Sequence, residues 1–261
     1  MADGSKEAQR PAYMQLLPLG VLIAAVAFWA LLTSLRLWPE SLFPSPMAVA
    51  KAFVGRIGSG RLFDDLIASL FRVTVGFLLA VILSVPFGLW LGHHVHARVA
   101  LLPSVNFFRN LSPLAWITFA ILWFPRGDTP VVFLIFLSAF FPMALAVIAA
   151  VANIPGVYFQ VARDYGFRGI QLLTHVTLPA IMPQVITTLR VTSGVAWMVV
   201  VAAEMIAGDS GLGFAVWDSR NGLRTDLLVC AMIVIGLIGV GIDRILVQLT
   251  RMPAVRWGYE R

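Results

Sequence analysis

Residues Gln160–Pro183 read QVARDYGFRGIQLLTHVTLPAIMP and place Arg163, Asp164, Tyr165 and Arg168 between two long apolar runs. Those runs, Val131–Val151 before and Val185–Ala207 after, are each about the 20 residues a helix needs to cross a bilayer. Three more runs of that kind lie further out, at Leu16–Leu35, Leu70–Leu91 and Leu227–Leu249. The chain is 59% apolar and only 12% charged, with a mean hydropathy of +0.88. A soluble domain is about half apolar and a quarter charged, so this is a membrane protein. Leu111–Phe124 (LSPLAWITFAILWF) supplies a sixth span, long enough only if it begins near Pro103. The reading is an all-α membrane protein of about six transmembrane helices, one domain over residues 1–261, with no internal repeat and no loop large enough for its own core.

The run Leu16–Leu35 exceeds a signal-peptide core, and no Ala-x-Ala cleavage site follows it, so it reads as a retained span. Cys230 lies inside an apolar run, which excludes a disulfide framework and a cysteine metal cluster. The formal net charge of +6 comes mostly from basic residues between spans. It therefore reflects topology rather than nucleic-acid binding. Nine of those basic residues (Lys6, Arg10, Arg98, Arg163, Arg168, Arg244, Arg251, Arg256, Arg261) fall on one side and seven (Arg36, Lys51, Arg56, Arg61, Arg126, Arg220, Arg224) on the other. That majority puts both termini in the cytoplasm. A short amphipathic helix over Pro46–Val54 is then external, as are the turn PRGDTP and the glycine-rich loop Gly208–Arg224. The opening stretch, within about residues 153–183, becomes the largest cytoplasmic connection.

In that connection Asn153-Ile154-Pro155 starts a helix, with a capping side chain just before a proline. Tyr158, Val161, Ala162 and Tyr165 share one helical face, and Gly166 can end the helix in a left-handed conformation. A second helix is expected from about Gly169 until Pro179 stops it. Nothing else in the chain is available to cover the apolar face, so it asks for a partner protein.

These residues resemble the cytoplasmic signature of ABC importer permeases: Glu-Ala-Ala, three residues, Gly, nine residues, Ile-x-Leu-Pro. Here it reads Gln160-Val161-Ala162, Gly166 and Val176-Thr177-Leu178-Pro179, with every spacing kept. Gln160 and Val161 depart from the pattern, which removes the charge but keeps the apolar contact. The resemblance extends through "LFPSPMAVAKAF", "SLFRVTVGFLLAVILSVPFGLWLG", "LSPLAWITFAILWF" and "VAAEMIAGDSGLGFAVWDSR". These segments are similar to the permeases for nitrate, bicarbonate, taurine and alkanesulfonates.

The resemblance implies a type I importer permease fold in the bacterial inner membrane, paired with a second copy of itself. It further implies two cytosolic ATP-binding subunits and an external solute-binding protein. Tyr158, Gln160, Val161, Ala162, Arg163, Asp164, Tyr165, Gly166 and Pro179 would form the coupling segment. A P-loop needs Gly-Lys followed by Ser or Thr, yet Lys6 follows Ser5 and Lys51 follows Ala50, and there are no other lysines. ATP and Mg²⁺ therefore belong to the partner subunits; this chain is no enzyme and carries no cofactor.

Ionisable groups at membrane depth usually face a bundle interior or a water-filled path. Arg109, near Asn106 and Asn110, either lines the path and attracts an anion or snorkels to the interface. Arg190, Trp197 and Glu204 are seven residues apart and share roughly one face, either the path or the subunit interface. Glu204 serves an external gate or an interhelix salt bridge, and Asp243 and Arg244 are expected to pair with different partners. His93, His94 and His96 lack metal-ligand spacing and read as a solvated turn. GDSGLG reads as a turn that, with Trp217, Asp218 and Arg220, touches the binding protein.

The leading functional reading is the membrane subunit of an ATP-driven small-anion importer. The same type of importer for a vitamin precursor or aromatic compound stays open. A secondary transporter using Glu204 or Asp243 as a proton relay would need inverted repeats, which are not seen, and a membrane enzyme at the histidine turn would need a metal.

Overall fold

A computed structural model describes residues 12–125 and 127–250. Lys6, Arg10, Arg126, Arg251, Arg256 and Arg261, which enter the orientation count, lie outside the described residues. The described chain is helical: α1 (Ala12–Ser34), α2 (Pro46–Gly58), α3 (Arg61–His93), α4 (Val95–Asn110), α5 (Ile117–Trp123), α6 (Thr129–Ala152), α7 (Gly156–Asp164), α8 (Ile170–Leu172), α9 (Leu178–Ala207), α10 (Leu212–Asn221) and α11 (Thr225–Thr250). Among the described residues five helical segments are long and apolar enough to cross a membrane: Leu17–Ser34, Arg61–His93, Thr129–Ala152, Ile170–Ala207 and Thr225–Gln248.

The centre is α6, packed between α3 and α9. Along α3 the residues facing α6 are small at every fourth position: Gly76, Ala80, Ser84, Gly88 and Gly92. A Cβ on Gly76, Gly88 or Gly92 would stand 2.8 Å from Ile135, 2.7 Å from Val147 or 2.6 Å from Val151. Within a bilayer no hydrophobic drive pushes two helices together, so close backbone approach over small residues is what holds them. Trp197 Nε1 donates to the Ile235 carbonyl at 3.1 Å and ties α9 to α11. Helix α1 stands off this bundle; none of its apolar window is buried, as suits a helix facing lipid.

The sixth expected span is not one helix. Helix α4 stops at Asn110, Leu111 and Ser112 are extended, and a 3₁₀ turn at Pro113–Trp116 leads into the short α5. Pro113 fixes its own φ and biases Ser112 away from the helical region, which breaks the helix there. The expected stop at Pro179 does not occur either. A π-helical turn at Leu173–Thr177 precedes α9, with Leu178 N–H donating to Leu173 O, and Pro179 falls in the first turn of α9, where no donor is lost. The expected helix at Pro46–Val54 continues to Gly58, and the loop Gly208–Arg224 contains α10.

Candidate functional site

Two features stand at opposite ends of the bundle. At one end, α7 bridges α6 and the π-helical turn. Its C-terminus closes as expected: Gly166 has φ +82, its N–H donates to Arg163 O at 2.9 Å, and Phe167 N–H donates to Ala162 O at 2.9 Å. This paired closure satisfies the last carbonyls of α7 and requires a residue that tolerates positive φ.

Ala162 turns inward and is buried, whereas Tyr158, Val161 and Tyr165 are 59%, 48% and 79% exposed. The apolar face is thus real and left uncovered by the described residues. Gln160, Arg163 and Asp164 are exposed on the flanks of the same helix, and Pro179 is exposed behind it. A cleft of about 880 Å³ opens beneath α7, between Asn153, Tyr158, Ala162, Val176 and Gln184.

Two ring contacts brace this end. Phe159 meets His93 edge to face at 6.1 Å, and Phe167 stacks on His175 at 5.5 Å. His93 Nδ1 lies 2.9 Å from Leu89 O and Nε2 lies 3.1 Å from Thr177 Oγ1. A carbonyl only accepts, so Nδ1 carries a proton, and in the neutral imidazole Nε2 accepts from Thr177. His93 therefore joins the end of α3 to the π-helical turn and to α7, a role the reading of a solvated turn missed.

At the other end lies a buried charge cluster. Glu204 is fully buried and Arg72 is 2% exposed. Arg72 Nη1 donates to Glu204 Oε1 at 2.7 Å and to Ser210 O at 2.6 Å; Nη2 donates to Ser210 Oγ at 2.6 Å. Its Nε donates to Asp128 Oδ1 at 2.7 Å. Glu204 also accepts from Ser69 Oγ at 2.8 Å and from Gly213 N–H at 2.9 Å, while Ser69 Oγ accepts from Leu212 N–H at 2.9 Å. A Cβ on Gly211, whose φ is +102, would collide with the Glu204 carboxylate. Gly208–Gly211 is therefore a turn, as expected, while Leu212 and Gly213 already begin α10; Gly211 leaves room for the acid and donates its own N–H to Asp65 at 3.3 Å. The cluster joins α3, the turn before α6, the end of α9 and the start of α10.

Of the two readings left open for Glu204, the salt bridge is the one the geometry forms. Arg72 went unnoticed in the sequence, though an arginine inside an apolar span is itself a signal. Glu204 and Trp197, both buried, face no open space in this conformation. Arg190 makes a bidentate pair with Asp243 at 2.6 and 3.0 Å, half-exposed, between α9 and α11. Asn106, Arg109 and Asn110 are exposed at the end of α4.

The arrangement is that of a membrane transport subunit: a helical bundle with a broken crossing, a charge cluster at one end and an uncovered apolar helix at the other. The chain belongs to the family of binding-protein-dependent transport system inner membrane components, whose model matches residues 84–252. It is 36% identical over 225 residues to an ABC transporter permease of Methanocaldococcus jannaschii, covering 84% of each chain. It is 32% identical over 227 residues to the taurine transport system permease of Escherichia coli, covering 85% of this chain and 82% of that one. Its fold is similar to that of a chain in the crystal structure of a bacterial alginate ABC transporter bound to its alginate-loaded periplasmic protein (TM-score 0.67, 14% identity, 92% of this chain and 97% of that one).

Proposed function

We propose that this chain is the membrane subunit of an ATP-driven importer for small anions, working as a pair of identical copies with two cytosolic ATP-binding subunits and an external solute-binding protein. The observation that carries the reading is the exposed face of Tyr158, Val161 and Tyr165 on a nine-residue helix that starts after Pro155, without the expected side-chain cap, and is closed at its C-terminus by Gly166. It is short and carries an apolar face, which suits insertion into a groove on a partner.

With both termini in the cytoplasm, α7 faces the ATP-binding subunits. Their closure on ATP and Mg²⁺ draws the two α7 segments together and rocks the bundle from inward-open to outward-open. The loaded binding protein favours the outward-open state because it binds that state better. The taurine permease relative supports an anionic substrate, taurine being a sulfonate. A proton-coupled carrier has less to work with: Glu204 and Asp243, its two candidate relays, are each tied to an arginine.

The test is ATP hydrolysis by the complex purified through this subunit in nanodiscs, with the binding protein loaded with nitrate, bicarbonate, taurine or an alkanesulfonate. The proposal expects an ATPase to co-purify and one loaded form to stimulate it. Absence of any co-purifying ATPase contradicts the proposal.

A further inference from the structure

The break between α4 and α5 leaves a pocket of about 150 Å³ walled by aromatic rings. Its depth follows from α6. Phe108 stacks on Phe141 with ring centroids 5.4 Å apart and planes 13° apart, and Phe141 is the thirteenth of the 24 residues of α6. The pocket therefore lies near the middle of that span. Trp116, from the 3₁₀ turn, closes another side, its ring 6.4 Å from Phe108. Val195 of α9 forms the opposite wall and is 41% exposed. Val191 and Met198, on the same stripe of α9, are 64% and 66% exposed, so the pocket opens onto an uncovered surface rather than into the core.

Arg109 lines this pocket. Arg72 is neutralised by Glu204 and Asp128 and Arg190 by Asp243, whereas Arg244 is exposed about two turns from the end of α11. No hydrogen bond or ion pair engages Arg109 among the described residues. A guanidinium at that depth without a protein anion is free to take an incoming one.

Helix α4 spans about 24 Å at 1.5 Å per residue, so Arg109, next to its last residue, is far from the interface at the other end of the helix. A discontinuous helix at mid-depth is also where transport proteins build substrate sites. At about 30 Å³ per water, the space holds roughly five small groups. That admits an oxyanion with a short tail.

The geometry points to this pocket as a substrate subsite on the translocation path, taking a compact oxyanion headgroup on Arg109 and its short tail against Phe108, Trp116 and Val195. Arg109 sets the charge preference and Val195 the size limit. The assignment rests on the importer reading above and deepens it, because it puts part of the selectivity inside the membrane subunit.

The experiment uses the complete complex with two readouts. The first is the rate at which a methanethiosulfonate reagent labels Val195→Cys, measured with and without millimolar taurine, nitrate or bicarbonate; the native Cys230 is fully buried and stays silent. One of these anions should slow labelling, and adding Arg109→Gln should abolish the protection while Arg109→Lys keeps it. The second readout is ATP-driven uptake into proteoliposomes. Arg109→Gln and Val195→Phe should each lower uptake about tenfold or more, the scale of one lost charge-assisted contact, whereas Val195→Ala transports.

Anion-independent labelling alongside normal ATP-driven uptake by the wild type overturns the subsite and leaves the importer reading standing. Wild-type protein that shows no ATP-driven uptake overturns the importer reading and the subsite with it.

Discussion

Replacing Arg72 by methionine removes the cation from a cluster in which Glu204 has no exposed surface and Arg72 itself only 2%. Glu204 then keeps its bonds from Ser69 and Gly213 N–H but faces no positive charge. Stranding one partner of a buried ion pair costs about 3–5 kcal/mol. Glu204→Gln should be milder, about 1–3 kcal/mol, because Arg72 keeps Asp128, which is 44% exposed and partly solvated, and both acceptors of Ser210.

The two changes share one interaction, so the double variant should be less destabilised than the sum of the singles by roughly 1–3 kcal/mol. At roughly 2–4 °C per kcal/mol for a chain of this size, Arg72→Met lowers the midpoint by roughly 6–20 °C. The assay is thermal loss of the monodisperse peak of the purified, detergent-solubilised complex, followed by fluorescence size-exclusion chromatography. An Arg72→Met midpoint within a degree or two of wild type, or strictly additive singles, refutes the claim that this cluster holds the four segments together.

Gly166→Ala forces a non-glycine residue into φ +82 and costs about 1–2 kcal/mol locally; it should weaken ATPase co-purification and leave the thermal midpoint of the bundle nearly unchanged. Tyr165→Ser removes an exposed ring from the α7 face and should likewise reduce ATPase capture in pull-downs without lowering the yield of folded permease. Gly88→Val drives a branched side chain into Val147 and the Ala144 carbonyl; overpacking of at least about 1–3 kcal/mol should appear as a lower midpoint and poor membrane expression, while the same change at Gly20, which has open space around it, should not.

The five long spans were legible because an unbroken apolar run of about 20 residues has few alternatives. The end of α7 was legible too, since Gly166 supplies the positive φ that its closure needs. What escaped has identifiable causes. The segment Leu111–Phe124 is apolar throughout, and hydropathy does not register that Pro113 forbids a continuous helix through Ser112. Pro179 misled because the rule against proline inside a helix assumes α-helical register, and a π-helical turn ahead of it removes the conflict.

Arg72 was hidden by its neighbours. A window beginning at Leu70 averages one arginine into a strongly apolar run, and its partner Glu204 lies 132 residues away. The small-residue stripe from Gly76 to Gly92 repeats every fourth position and was readable as a helix-packing face. The position of Arg109 beside a mid-span pocket was not readable, because it depends on where α4 stops and on which ring of α6 Phe108 meets.

ATP-driven import is tested most sharply by uptake into proteoliposomes containing only this chain, its cognate ATP-binding subunit and the loaded binding protein. Accumulation of the anion should require ATP on the side of the ATP-binding subunit, persist in the presence of a protonophore, and be lost when Tyr158 and Tyr165 are both replaced by serine. Uptake that follows an imposed proton gradient and proceeds without ATP contradicts ATP-driven import.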